Sequence, residues 1–264
     1  MAASASAAKK LSTSLEGRVA IVTGGTGGIG SAVASHLASL GANVVIGYIG
    51  DPTLAEHLLS TINAAATTIP RAIAVEADVS DPAQVKALFD RAESAFGKIN
   101  ILVTTAAVID DTYPTLADTS DEKWDWVFSV NAKGTFLCCR EAANRIVRGG
   151  GGRIITFSSS TVGSLRLGYG AYAATKGAVE TMTKVLAREL KGTMITANAI
   201  APGPTTTPMF YAGKTEKDVE DIRRESPLER IGCPMDVAPL VGFLASDAGG
   251  WVNAQVIRCN GGYV

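Results

Sequence analysis

Tyr172 and Lys176, in the run Ala-Tyr-Ala-Ala-Thr-Lys-Gly-Ala, stand four residues apart in a segment whose pattern predicts helix. Side chains at that separation share one helix face, so a phenol and an ammonium are held side by side. A free Tyr titrates near ~10, and a neighbouring cation favours its ionised form. The pair therefore suits proton donation to, and removal from, a reacting oxygen at neutral pH. Tyr and Lys at this spacing also decorate ordinary helix surfaces, so the pair needs company. Two features supply it: Ser159 at the end of an apolar run, and the glycine-rich turn from Thr23 to Gly30.

That turn, Thr23-Gly-Gly-Thr-Gly-Gly-Ile-Gly30, follows the apolar run Val19 to Thr23 and opens a helical pattern from Ile29 to Leu40. Glycines there let the backbone turn sharply and approach a pyrophosphate, whose charge rests on the helix N-terminus. Gly25, Gly27 and Gly30 fit G-x-G-x-x-G, while Thr23, Gly24, Gly28 and Gly30 fit T-G-x-x-x-G-x-G. A tight turn wants glycine in any case, but the strand-turn-helix setting makes this a candidate dinucleotide site.

The elements that must position these groups alternate along the chain. Strands are predicted at Val19 to Thr23, Asn43 to Tyr48, Arg71 to Ala77, Ile99 to Thr104, Arg153 to Phe157, Ile195 to Ile200 and Gln255 to Arg258. Asp51-Pro52 and Asp81-Pro82 mark helix starts, each with a capping Asp and Pro at the first helical position. Further helices are expected from Asp121 to Arg148, with an irregular start, through Tyr172 to Lys191, and from Met235 to Ser246. Residues 205–224 read as a charged helical excursion after Pro202-Gly203-Pro204, either a substrate lid or a plain surface helix pair. Alternation of this kind implies α/β class: one doubly wound Rossmann-type domain, residues 15–264, with a mostly or wholly parallel seven-stranded sheet. The Ala/Ser-rich stretch from Met1 to Ser14 reads as a disordered tail, with targeting as the alternative.

Composition excludes several classes. With 47% apolar and 19% charged residues, the 264-residue chain can bury a large core. A net charge of −1 argues against a nucleic-acid partner held through phosphates. No run approaches the roughly 18 apolar residues of a membrane span. Cys138, Cys139, Cys233 and Cys259 lack metal-type spacing, and His36 and His57 lie far from the other motifs, so no metal site is expected. Reduced thiols in a cytoplasmic protein are the expectation.

Taken together, the turn and the Tyr172-x-x-x-Lys176 pair resemble the short-chain dehydrogenase/reductase family, and the likeness runs from Leu15 to the end. Its closing stretch, from Asp236 through Asn-Gly-Gly-Tyr-Val, is similar to plant aldehyde-reductase-like members. The resemblance implies a catalytic set of Asn131, Ser159, Tyr172 and Lys176, with Ser159 at the family's interval of thirteen residues before Tyr172. It implies cofactor contacts at Thr23, Gly24, Thr26, Gly28, Ile29 and Gly30; at Tyr48, Asp78 and Val79; at Thr105, Ala106 and Ala107; and at Tyr172, Lys176, Pro202, Gly203, Thr205 and Thr207. Ser160 takes the serine role if the loop is shifted by one residue. One departure stands out: Thr104-Thr-Ala-Ala107 replaces the family's Asn-Asn-Ala-Gly, removing hydrogen bonds that Thr hydroxyls could partly replace.

The implied activity is interconversion of a carbonyl and an alcohol by hydride transfer, with Tyr172 as general acid or base, Lys176 lowering its pKa and Ser159 holding the substrate oxygen. NADP(H) is expected over NAD(H), because the end of the second strand offers Tyr48 where an NAD enzyme places a carboxylate, and Asp51 reads as a helix cap. The alternatives are an NAD-dependent alcohol dehydrogenase and a dinucleotide-binding module without turnover. A homotetramer is the expected assembly. Leu165, Leu167, Tyr169, Met209 and Phe210 are candidates for an apolar substrate pocket, whereas Trp124, Trp126 and Phe128 read as core.

Overall fold

A computed structural model of the protein describes residues 12–64 and 70–264. The expected tail therefore lies almost wholly outside the described residues. Seven strands form one sheet: β1 Val19–Thr23, β2 Asn43–Tyr48, β3 Ala72–Glu76, β4 Ile101–Thr104, β5 Arg153–Phe157, β6 Thr196–Pro202 and β7 Val256–Cys259. Their order is β3-β2-β1-β4-β5-β6-β7 and every pairing is parallel. Runs such as Val-Ala-Ile-Val-Thr in β1 are buried at every position, as strands covered on both faces require.

Successive side chains point to opposite faces, so each strand feeds two cores. Ala20, Val22, Val44 and Ile46 meet Val33 and Leu37 of α1 (Gly28–Ser39) and Val241 and Leu244 of α10 (Pro234–Ala245). Ile21, Val45, Leu102 and Ile154 meet Leu88 and Phe89 of α3 (Pro82–Phe96), Leu137 of α5 (Thr135–Arg145) and Ala187 of α7 (Gly170–Glu189). The remaining helices are α2 (Pro52–Ala64), α4 (Asp121–Phe128), α6 (Thr161–Ser164), α8 (Pro208–Tyr211) and α9 (Glu216–Glu225). Chain order reverses between β1 and β4, which opens a crevice at their carboxyl ends.

Three expectations are corrected. The single helix expected from Asp121 to Arg148 is α4 and α5 joined by a π-helical turn, Ser129–Gly134, so the irregularity lies in its middle. Such turns interrupt helices frequently at functional sites, and this one carries the fully buried Asn131. Trp124 and Trp126 are not core: they remain 37% and 40% exposed, because α4 buries Val127 alone. Finally, β6 continues through Pro202 instead of stopping at Ile200. Proline is tolerated at a strand's end, and there its carbonyl accepts from Ser160 N at 2.9 Å.

Candidate active site

The turn after β1 is built by close backbone approach. Gly24 has φ +61°, and a Cβ on Gly30 would overlap the Gly24 carbonyl and sit 2.7 Å from Thr105 Oγ1. Only glycine lets α1 start this close to β1 and β4. No side chain caps α1, whose N-cap is Gly27. Its first residues, Gly28 to Gly30, line a cavity of about 640 Å³ across the crevice.

Most expected cofactor contacts line that cavity: Gly24, Thr26, Gly28, Ile29, Gly30, Tyr48, Asp78, Val79, Thr105, Ala106, Ala107, Tyr172, Lys176, Pro202, Gly203, Thr205 and Thr207. Thr23 does not. It is buried beneath the turn, and its carbonyl accepts from Thr105 N at 3.2 Å and from Thr105 Oγ1 at 2.6 Å. The Thr105 hydroxyl thus ties the start of the loop after β4 to the end of β1. After β3, Asp78 Oδ1 accepts from Ser80 N at 2.8 Å and Ser80 Oγ at 2.7 Å. Asp51 Oδ1 accepts from Thr53 N at 2.9 Å, the capping bond expected of it.

Ser159, Tyr172 and Lys176 converge where β5 ends and α7 begins. Of the rival hydroxyls, Ser158 donates to Glu180 Oε1 at 2.7 Å, while Ser160 accepts from Asn260 Nδ2 at 3.1 Å. Ser159 alone is directed at Tyr172, and that hydrogen bond favours the phenolate, although burial prevails and pushes the phenol up to about 12. Lys176 Nζ is 5.5 Å from the Tyr172 ring centre and donates to Phe157 O at 2.9 Å. Burial lowers it to about 8. Burial thus sets the direction of the Tyr172 shift.

Asn131 stands behind the cavity. Its Oδ1 accepts from Val108 N at 2.8 Å and its Nδ2 donates to Val108 O at 2.9 Å and to Thr175 Oγ1 at 3.3 Å. It thereby ties the loop after β4 to α7. Tyr169, Met209 and Phe210, candidates for an apolar substrate pocket, line the same cavity. Leu165 and Leu167 do not, being 74% and 93% exposed. Tyr113, Trp126, Arg166, Lys214 and Tyr263 line it unforeseen. Trp126 comes from α4, Tyr263 from the C-terminal stretch and the others from separate loops, and no spacing along the chain links them.

The uncapped helix start, the glycine approach and a cavity of this length fit a dinucleotide. Residues 24–264 match the family model described as Enoyl-(Acyl carrier protein) reductase. The chain is 58% identical over 257 residues to "NADPH-dependent aldehyde reductase-like protein, chloroplastic" of Arabidopsis thaliana, covering 95% of each chain. It is 57% identical to a short-chain type dehydrogenase/reductase of Picea abies, over 95% of this chain and 93% of that one. The solved structure of a short chain dehydrogenase from Burkholderia cenocepacia in complex with NADP matches with TM-score 0.87 and 34% identity, over 94% of this chain and 98% of that one. With the motifs in order along one parallel sheet, the chain belongs to the short-chain dehydrogenase/reductase family.

Proposed function

We propose that the protein is an NADP(H)-dependent oxidoreductase that interconverts a carbonyl and an alcohol. The observation that carries this reading is the convergence of Ser159, Tyr172 and Lys176 at one end of the glycine-turn cavity. Gly24, Thr26 and Gly28 to Gly30 would hold the pyrophosphate, with Tyr48, Asp78 and Val79 at the adenosine. Thr105 to Ala107, Lys176, Pro202, Gly203, Thr205 and Thr207 would hold the nicotinamide half. When bound, the cofactor supplies the hydride.

The chain's own residues supply the rest. Tyr172, kept protonated by burial, donates its phenolic proton to the oxygen on which negative charge develops. Ser159 donates to the same oxygen and holds it within reach. Lys176, anchored on Phe157 O, stabilises the phenolate left behind and keeps two N–H groups for a ribose. Asn131 locks the loop and α7 in register behind them.

NADP(H) is favoured because Tyr48, not a carboxylate, ends β2, while Asp51 is engaged in capping. That engagement weakens the NAD-dependent alternative. The intact catalytic set weakens the alternative of a module without turnover. A homotetramer is supported by exposed Trp124, Trp126, Phe136 and Val185 on α4, α5 and α7, and light scattering at micromolar concentration tests it. Two relatives are named as chloroplastic. A plastid location therefore stands beside the cytoplasmic one, and fractionation of the full chain decides between them. The test of function is a turnover screen of aldehydes, ketones, quinones and secondary alcohols with both cofactors. No oxidation of NADPH or reduction of NADP+ with any of them refutes the proposal.

A further inference from the structure

The substrate end of the cavity holds a cation that the proposed chemistry leaves unused. Lys214 lies between α8 and α9, half-buried, with Nζ 4.4 Å from the Tyr113 ring centre, 5.2 Å from that of Phe210 and 5.7 Å from that of Tyr169. Ring faces at that range attract an ammonium but give its N–H groups no lone pair in the plane. One of the three N–H groups donates to Tyr113 Oη. Among the described residues no carboxylate forms an ion pair with it. Arg166, the other cation at this end, is occupied by Glu225 Oε2 at 2.8 Å and Tyr263 Oη at 3.1 Å. Lys214, with no such carboxylate, keeps two N–H donors to spare.

Its position is held firmly. A Cβ on Gly213, at φ +67°, would overlap Asp111 O, so the strap is clamped to the loop after β4. Tyr113 in turn donates to Ala212 O at 2.9 Å. Tyr113 and Tyr169 stand 4.9 Å apart, and with Phe210 they leave flat aromatic walls beside the ammonium.

We propose that Lys214 determines specificity by donating to a second oxygen of the substrate, remote from the carbonyl that reacts. The preferred substrates are flat carbonyl compounds bearing a further carbonyl or carboxylate oxygen, rather than hydrocarbon aldehydes of equal size. This rests on the carbonyl–alcohol reading of the site. A buried donor matched to an acceptor discriminates strongly against the analogue lacking it.

The test uses three para-substituted benzaldehydes of similar size: 4-carboxy, 4-acetyl and 4-isopropyl. With NADPH at pH 7, the wild type should favour the first two over the third by about tenfold or more in kcat/KM. Lys214→Met should erase that preference and leave 4-isopropylbenzaldehyde almost unaffected, whereas Lys214→Arg and Tyr113→Phe keep it. An equal loss on all three, or a preference that survives Lys214→Met, overturns the proposal.

Burial and the charge of Arg166 push Lys214 down to about 8, against an opposing pull from Asp218. The other groups facing it, Tyr113 and Tyr169, are both raised and stay neutral there. The wild-type preference should therefore fade as pH rises from 7 to 9.5, while Lys214→Arg retains it. That pair decides the matter even if the Met variant does not fold, and a wild-type preference unchanged at pH 9.5 counts against Lys214. Lys176 titrates in the same range but affects all three aldehydes alike. If the wild type reduces none of them, the carbonyl reading is wrong for this class. Calorimetry of the NADP+-loaded protein with 4-carboxybenzaldehyde then still scores Lys214: weaker binding by about tenfold in Lys214→Met supports it, and equal binding overturns it.

Discussion

The two ends of the cavity are built from different materials. The cofactor end is backbone: a turn whose glycines press against the Gly24 carbonyl and the Ala106 main chain, an uncapped helix start, and strand ends in fixed register. The substrate end is side chain: Tyr113, Tyr169, Phe210 and Lys214, brought from three separate segments. Tyr113 itself sits at φ 50°, a conformation uncommon outside glycine. A backbone-built end accepts one ligand class and resists change. A side-chain-built end can be retuned residue by residue, and substrate choice belongs there.

Tyr172 lies at the junction of the two ends, so its loss should separate binding from chemistry. Tyr172→Phe removes the proton donor and keeps the ring, and turnover should fall by roughly 10²–10⁴-fold. NADPH affinity, read by fluorescence titration, should barely change. Retained turnover would remove Tyr172 from the mechanism.

Lys176 tests whether the junction trades stability for chemistry. Its folded pKa of about 8 lies below the ordinary 10.5, so the folded protein binds the proton less tightly than the unfolded chain does. The cost is present in full below pH 8 and fades as pH approaches 10.5, so stability rises with pH across that window. A fall of that size corresponds to roughly 3 kcal/mol, and losing the bond to Phe157 O offsets roughly 1 kcal/mol of it. Lys176→Met should therefore melt higher at pH 7, by about 2 kcal/mol, while turnover collapses. A variant that melts lower than wild type at pH 7 would mean that Lys176 has a compensating partner.

At the cofactor end the adjustable group is Tyr48, at the last position of β2. Tyr48→Asp supplies a ribose acceptor and repels a 2′-phosphate, so the NADPH preference should reverse by about tenfold to a hundredfold, or about 1.4–2.8 kcal/mol. Comparing kcat/KM for the two cofactors checks it. An unmodified protein that uses NADH as well as NADPH would show that another group reads the ribose.

What was legible in the sequence follows the same division. Tyr172, Lys176 and the glycine turn stand out by spacing and the strand-turn-helix setting, Ser159 only by the family's interval to Tyr172, and the parallel sheet follows from the alternation. Asn131 was readable as a residue, but not the π-helical turn that carries it, since no period in Ser-Val-Asn-Ala-Lys-Gly signals a widened helix. The raised pKa of Tyr172 was missed because spacing reports the neighbouring cation and not the depth of burial. Leu165 and Leu167 were misplaced because hydrophobicity alone does not say which loop face turns inward. In the sequence Lys214 is one of several charges in the excursion 205–224, and only its three-dimensional neighbours single it out.

The smallest effect concerns the departure at Thr104-Thr105, directly under the crevice that joins the two ends. Thr105 Oγ1 donates to Thr23 O at 2.6 Å, whereas among the described residues the buried Thr104 Oγ1 has no partner, and nor has that of Thr23, its register mate on β1. One substitution should thus have opposite signs at adjacent positions. Thr104→Val removes an unsatisfied hydroxyl at nearly constant shape and should stabilise by about 1 kcal/mol, raising Tm by about 2–4 °C. Thr105→Val loses a made bond and leaves the Thr23 carbonyl with the Thr105 N–H alone, costing about 1 kcal/mol and weakening NADPH binding as the turn loosens. Thermal melts with and without NADPH read both. A destabilised Thr104→Val would show that its hydroxyl does find a partner.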